Sequence, residues 1–231
     1  MHRGRSGAAW DDVAVETVAR EGDLVLRRRE DGSLELRVNG VFVMDTVETS
    51  TERSLATRAL ALHERPRRVL VGGLGLGFTL GSVLADGRVE HCTVVEIEAA
   101  LVRWAANGTI PHGRALLADP RTHVRVGDVA VTLRQSPPAA YDLVLLDVDN
   151  GPGYLVHAGN AALYQVPALE AARRATAPGG RVVVWSAAEA PTLEQALRQV
   201  FGNAEALAYS VTLQTRQEHY WLYAAQVTSM T

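Results

Sequence analysis

Val71-Gly72-Gly73-Leu74-Gly75-Leu76-Gly77-Phe78 is the stretch on which the fold turns. It follows a short apolar run, Arg67 to Gly73, and opens a segment with helical spacing, Gly77 to Asp86. Glycines between a buried strand and a helix let the main chain turn tightly and approach a ligand that lies against the helix start. Glu96 ends the next apolar run, 19 residues beyond Gly77, where a carboxylate can accept hydrogen bonds from both hydroxyls of a ribose. The dinucleotide fingerprint G-x-G-x-x-G needs glycine where this chain has Phe78. That mismatch disfavours a dinucleotide with its pyrophosphate and favours an adenosyl ligand without one.

Two further strand ends extend the pattern. Val126-Gly127-Asp128-Val129 closes a third strand, where a carboxylate can accept the adenine amino proton, and Leu146-Asp147-Val148-Asp149-Asn150-Gly151-Pro152 closes a fourth. Taken alone, Glu96 and Asp128 are ordinary helix-capping residues. At four successive strand ends, on the edge where open α/β sheets bind ligands, they describe an adenosyl-sulfonium site. Its expected lining is Gly73, Leu74, Gly75, Gly77, Glu96, Ile97, Gly127, Asp128, Val129 and Asp147.

Around this core the chain alternates apolar strands with helices: CTVVEIE, AALVRWAAN, HVRVGD, VAVTLRQ, YDLVLLDVD, ALYQVPALEAARRA, RVVVWSA and PTLEQALRQVF. Continuous apolar strands without polar alternation predict a sheet covered by helices on both faces. The last two strands, near AEALAYSVTL and EHYWLYAAQ, have no helix between them and should pair antiparallel. The fold class is therefore α/β, a doubly wound, seven-stranded, Rossmann-like sheet of the methyltransferase kind over residues 67–231. Residues 1–66 form a lead-in with a small β-meander, whose strands are separated by Asp31-Gly32 and Asn39-Gly40. Each dipeptide supplies the positive φ angles of a tight hairpin turn. A capped helix, ERSLATRALALHE, follows Thr49-Ser50-Thr51-Glu52, and DDVAVETVAR near the start is a short candidate helix.

Composition narrows the function. Among 231 residues, 23 Lys and Arg against 26 Asp and Glu give a formal charge of −3, no footprint for nucleic acid or an anionic membrane. Cys92 is the one cysteine, no Cys/His cluster has metal-ligand spacing, and the first residues lack an apolar signal core. A metal-free protein of the reducing cytoplasm is expected. Every cation is an arginine, because the chain contains no lysine, and a pyridoxal phosphate Schiff base is thereby excluded.

With these residues in hand, the chain resembles the spermidine synthase-like branch of the class I S-adenosylmethionine-dependent methyltransferase superfamily, in its short bacterial form. The resemblance runs from about Leu36 to Ala225 through Val38 to Val41, Glu48 to Arg53, the Gly73 to Gly77 loop, Val94 to Glu98, Gly127-Asp128, Asp147 to Pro152, Leu163-Tyr164 and Pro178 to Gly180. It implies S-adenosylmethionine or its decarboxylated form as co-substrate. The departures are specific. The family's G-G-G-D-G-G loop carries an aspartate for the amine end of decarboxylated S-adenosylmethionine, and Gly75 stands there. Its D-S-S-D-P loop has two aspartates for the amine substrate; Asp147 keeps the first place and Asn150 stands at the second, with Asp149 beside it. Val43 replaces a glutamine, and Arg58, Ala59 and Leu60 replace a Tyr-His-Glu run. A polyamine needs several carboxylates, since burying an unpaired ammonium costs several kcal/mol.

The expected reaction is accordingly attack on the amino-acid arm of S-adenosylmethionine with release of 5′-methylthioadenosine. The nucleophile is a separate small molecule or the donor itself, closing 1-aminocyclopropane-1-carboxylate or azetidine-2-carboxylate. The alternatives, in order, are small-molecule methyl transfer releasing S-adenosylhomocysteine, polyamine aminopropyl transfer, and adenosyl binding without turnover. Asp147 and Asp149 are the candidate bases or amine-orienting groups, with Tyr164 as a hydroxyl partner. Asp149 in a D-N-G-P turn also reads as a turn former, and Tyr164 on an apolar helix face as core. Trp185 lines an acceptor pocket or packs; Glu52 and Arg53 gate the pocket or cap a helix; His157 is a weak catalytic candidate. Tyr220, Trp221 and Tyr223 are expected to contribute to a homodimer face.

Overall fold

The computed structural model describes residues 10–18, 22–148, 158–213 and 216–228. Asp149, Asn150 and His157 lie outside them. The chain forms two compact units, residues 1–49 and 50–231. The division falls before the capped helix and not at Arg67, because that helix, α1 (Ser50–Ala61), packs with elements of the second unit.

The first unit is an antiparallel sheet of four strands in sequential order: β1 (Trp10–Val18), β2 (Gly22–Arg29), β3 (Leu34–Val38) and β4 (Val41–Asp45). Asn39 and Gly40 take φ of 53° and 75°, which closes β3 and β4 through a two-residue turn with Val38 opposite Val41. The candidate helix at 11–20 is instead β1. Val13, Val15, Thr17 and Val18 favour a pleated ladder over a helix, and Trp10 to Val18 pair with Gly22 to Arg29.

The second unit is a seven-stranded sheet in the order β10-β11-β9-β8-β5-β6-β7. In chain order it comprises β5 (Arg68–Gly72), α2 (Phe78–Leu84), β6 (His91–Glu96), α3 (Ala99–Asn107), α4 (Gly113–Ala118), β7 (Thr122–Val126), α5 (Val129–Gln135) and β8 (Tyr141–Leu146). Then come α6 (Val166–Ala175), β9 (Thr176–Ser186), α7 (Pro191–Phe201), β10 (Glu205–Leu213) and β11 (Arg216–Gln226). Strands β7, β6, β5, β8 and β9 are parallel, and β11 enters antiparallel between β9 and β10. The seven expected strands and the terminal hairpin are all present. The helix expected over ALYQVPALEAARRA is split: Ala158–Tyr164 is a 3-10 turn, and α6 begins at Val166 with Pro167 in its first turn. Helix α4 went unexpected; it is six residues long, with no run of helical spacing to announce it.

All six residues of β8 are buried, the signature of a central strand covered on both faces. Leu70, Val144, Val182, Leu169 and Leu197 form one continuous core beneath α5, α6 and α7. Tyr223 is buried there too, its hydroxyl accepting the Ala190 N–H at 2.6 Å, so it belongs to the protein's own interior and not to a subunit face. Burial also pushes the Cys92 thiol up to about 12, which leaves it unreactive. Among the described residues, no helix is long and apolar enough to cross a membrane.

Strand β5 is where the order reverses, with β6 and β7 on one side and β8 and β9 on the other. The crevice at its carboxyl end is the topological switch point. There Asp147 N–H donates to the Gly72 carbonyl at 2.9 Å, and a Cβ added to Gly73 (φ +95°) would lie 2.1 Å from the Asp147 carbonyl oxygen. Gly32 has a similar φ of +85° with open space around it. Gly32→Ala is expected to cost about 1 kcal/mol, and Gly73→Ala about 3 kcal/mol or more through the added main-chain collision. Denaturant melts of the two variants compare the costs directly.

Candidate functional site

The glycine loop leaves β5 by a main-chain bond from Gly73 N–H to the Val95 carbonyl, 2.8 Å, and closes by one from Gly77 N–H to the Leu74 carbonyl, 2.8 Å. Glu96, 5 % exposed, braces it from the end of β6. Its Oε2 accepts from Leu74 N–H at 2.7 Å and Gly75 N–H at 3.4 Å, and its Oε1 accepts from Glu98 N–H at 2.8 Å. These bonds hold the carboxylate still at the edge of the sheet. The amides of Leu74 and Gly75 do not wait open for a ligand carboxylate, because Glu96 occupies them.

Ile97, next along, exposes 38 % of its surface at the same edge, an apolar face suited to a purine ring. Gly127 N–H donates to the Glu96 carbonyl at 2.8 Å and carries the end of β7 toward the site. Asp128 is the N-cap of α5, its Oδ1 accepting from Ala130 N–H at 2.6 Å and Val131 N–H at 3.4 Å. Both bonds fall on one oxygen, so capping and adenine recognition are compatible. Val129 is 7 % exposed and its Cγ2 would lie 3.0 Å from a Cβ on Gly72; its side chain is core, and only its main chain lies at the edge.

Asp147 is the most perturbed group of the site. Burial pushes its carboxyl up to about 6, opposed by a hydrogen bond that Thr79 donates from Oγ1 to Oδ2 at 2.5 Å. Thr79 lies in the first turn of α2, directly behind the glycine loop, and is 2 % exposed. Its hydroxyl also sits 3.4 Å from the Glu52 carbonyl in the first turn of α1. Thr79 is the site residue that sequence reasoning missed. The signal was available as a hydroxyl two residues past Gly77, in the first turn of the helix that the glycine loop opens.

Tyr164 does not reach Asp147 with its proton. Its hydroxyl donates to the Val148 carbonyl at 2.7 Å and its ring belongs to the core, so it holds the exit of β8 by the main chain. Arg53 packs over the Phe78 ring, 5.3 Å from its centroid, and Phe78 lies against His112 at 4.9 Å with the rings tilted by 34°, while His112 Nε2 hydrogen-bonds the Leu76 carbonyl. This cluster pins the far side of the glycine loop. Trp185, at the end of β9, is 9 % exposed and stacks on Tyr220 with centroids 5.4 Å apart. Together with Thr51, Ser54, Tyr209 and Leu222 the pair lines a narrow cleft. Among the described residues no group of His, Cys, Asp and Glu is arranged to hold a metal ion.

The cradle fits an adenosyl group: a glycine turn with no side chain in the way, a fixed carboxylate for the ribose, and a second carboxylate one strand over. Comparison with known proteins agrees. The Spermine/spermidine synthase domain family matches residues 48–225. Putrescine N-methyltransferase 3 of Nicotiana tabacum is 30% identical over 176 residues, 75% of this chain and 42% of that protein. Polyamine aminopropyltransferase 2 of Hyperthermus butylicus is 30% identical over 156 residues, 66% of this chain and 48% of that protein. The chain thus spans less than half the length of either relative. A crystal structure of spermidine synthase in complex with the transition state analogue AdoDATO superposes with a TM-score of 0.78, covering 94% of this chain and 73% of that one, at 19% identity. This last likeness is one of fold.

A carboxyl near 6 makes two expectations. Asp147 is held above its unfolded value, so the folded state prefers the protonated form; stability declines as pH rises from about 4 to about 6. Thr79 donates to the charged form, so Thr79→Val raises the Asp147 value further and Thr79→Ser leaves it near that of the parent. Carboxyl 13C titration by NMR reads both.

Proposed function

Since the chain belongs to the spermine/spermidine synthase family, we propose that it is an enzyme consuming S-adenosylmethionine, with a nucleophile attacking the γ-carbon of the amino-acid arm and 5′-methylthioadenosine leaving. The observation that carries this reading is Gly75. A decarboxylated donor ends in a bare ammonium, which needs a counter-charge where it is bound, and the loop places none at that position. The intact donor ends in a zwitterion and brings its own carboxylate.

The sulfonium supplies the leaving group. Breaking its bond to the γ-carbon returns the electron pair to sulfur as a neutral thioether, so no acid is required on that side. What the chain must do is hold the two partners in line and take a proton from the nucleophile. Glu96 and the glycine loop fix the adenosyl half. Asp147, with a value of about 6, is largely ionised at neutral pH and is the base or amine-orienting group. Thr79 aims its Oδ2. The nucleophile is a separate small molecule or the donor's own α-carbon or α-amine.

A second reading, aminopropyl transfer to a polyamine, is favoured by the retention of Asp147 and by relatives such as the Hyperthermus butylicus protein, an aminopropyltransferase by name. Incubating the protein with S-adenosylmethionine or its decarboxylated form, each with and without putrescine, separates the readings by the nucleoside released. Methylthioadenosine from S-adenosylmethionine is expected. Turnover confined to the decarboxylated donor with putrescine establishes aminopropyl transfer instead. S-adenosylhomocysteine formed with an acceptor establishes methyl transfer, and no nucleoside product under any condition establishes a binding module. Asp147→Asn is expected to lower kcat/KM by about 100-fold or more, while S-adenosylmethionine binding persists by calorimetry.

A further inference from the structure

Glu96 holds the glycine loop by its amides; His112 holds it by a carbonyl. Leu76 offers that carbonyl to His112 Nε2, and the N–H of the same peptide, on Gly77, donates to the Leu74 carbonyl at 2.8 Å. The Leu76–Gly77 peptide is thus gripped at both of its polar ends. Gly77 sits at φ 90° and ψ 10°. Turning the peptide over would carry that φ to about −90°, which glycine accepts as readily. Sterics at Gly77 therefore do not choose between the two orientations. The hydrogen bonds do, because turning the peptide over breaks both of them.

The placement of His112 is set by the packing of α4. His112 is the N-cap residue of that helix, yet its side chain makes no capping bond to it, and the imidazole reaches across to the loop instead. Gly113, the next residue, lies so close to α3 that a Cβ there would stand 2.6 Å from the Ala105 Cα. Only glycine lets α4 start at this spot, and its start brings His112 against the loop. A Cβ on Gly77 would meet Leu116 of α4 at 2.9 Å and His112 Nε2 at 3.6 Å. A carbonyl oxygen only accepts, so Nε2 carries a proton whether the ring is neutral or charged, and the neutral ring is held in one tautomer.

We infer that His112 is a positioning residue for the donor: through the Leu76 carbonyl it keeps the Leu76–Gly77 peptide in the orientation that closes the glycine loop, so that the adenosyl group meets a preformed turn. The inference rests on the proposed reading only in taking an adenosyl compound as the ligand of that loop. Without the bond the loop samples both orientations, and the apparent affinity falls by the fraction that remains closed. His112 thereby serves binding of the donor and not the breaking of its sulfonium bond.

The test is calorimetric binding of S-adenosylhomocysteine to the full chain, paired with hydrogen exchange of the Gly77 amide in the ligand-free protein. His112→Phe keeps a ring against Phe78 and loses the N–H, and it is expected to bind about tenfold more weakly than the parent. His112→Gln carries an amide N–H at a similar reach and is expected to return to within about threefold of the parent. Gly77 exchange should rise about tenfold in His112→Phe while the Val94 and Val95 amides of β6 keep the parent rate, since local opening is separate from global unfolding. A packing role alone would move all three amides together. Equal binding by the parent and His112→Phe, failure of His112→Gln to recover, or unchanged Gly77 exchange overturns the inference. A parent that does not bind S-adenosylhomocysteine overturns the donor reading as well, whereas a parent that binds it no better than His112→Phe overturns the role of His112 alone.

Discussion

The close passage of two main chains at the sheet's switch point governs the rest of the site. Gly73 and Asp147 approach until a single methyl group on Gly73 would collide with the Asp147 carbonyl oxygen. This contact sets the splay between the exits of β5 and β8, and every ligand-facing group is positioned from it. The glycine loop can curl back only because the chain leaves β5 with positive φ at Gly73. Glu96 can brace the loop from β6 only because the loop then passes within 2.7 Å of its carboxylate. Asp147, on the other side, is brought up against Thr79 and is partly buried.

That burial sets fold against function. Raising a carboxyl from its usual value to about 6 costs the folded protein on the order of 3 kcal/mol at neutral pH. One hydroxyl, that of Thr79, offsets part of this, and among the described residues no ion pair contributes. A structural aspartate would be paired or solvated. An unpaired buried one, at the edge of a sheet where ligands bind, has the marks of a group kept for chemistry.

Much of this was legible in the chain. The strand-to-helix turn at Gly73 to Gly77 and the acidic residues at 96, 128 and 147 identified the sheet edge, because glycine and carboxylate at strand ends have few other uses together. The hairpin at Asn39-Gly40 followed from φ requirements alone. What escaped was set by tertiary context. Residues 11–18 mix acidic and β-branched residues without a clear period, and pairing with β2 decided for strand. Tyr164 was read as a hydroxyl partner or as core, and Tyr223 as part of a dimer face; each spends its polar end on a main-chain partner within the core. Thr79 drew no notice because its role depends on a residue 68 positions away across the sheet.

The bonds that hold the Asp147 segment have a common property. Asp147 N–H to the Gly72 carbonyl, Tyr164 hydroxyl to the Val148 carbonyl, and the Gly73 main chain against the Asp147 carbonyl all engage the backbone, while the Thr79 hydroxyl engages the aspartate side chain. The path of the chain through the site is therefore held mainly by main-chain contacts. A lineage built on this clamp can exchange the reactive group, and with it the reaction, by one codon change while the scaffold around it stays in place.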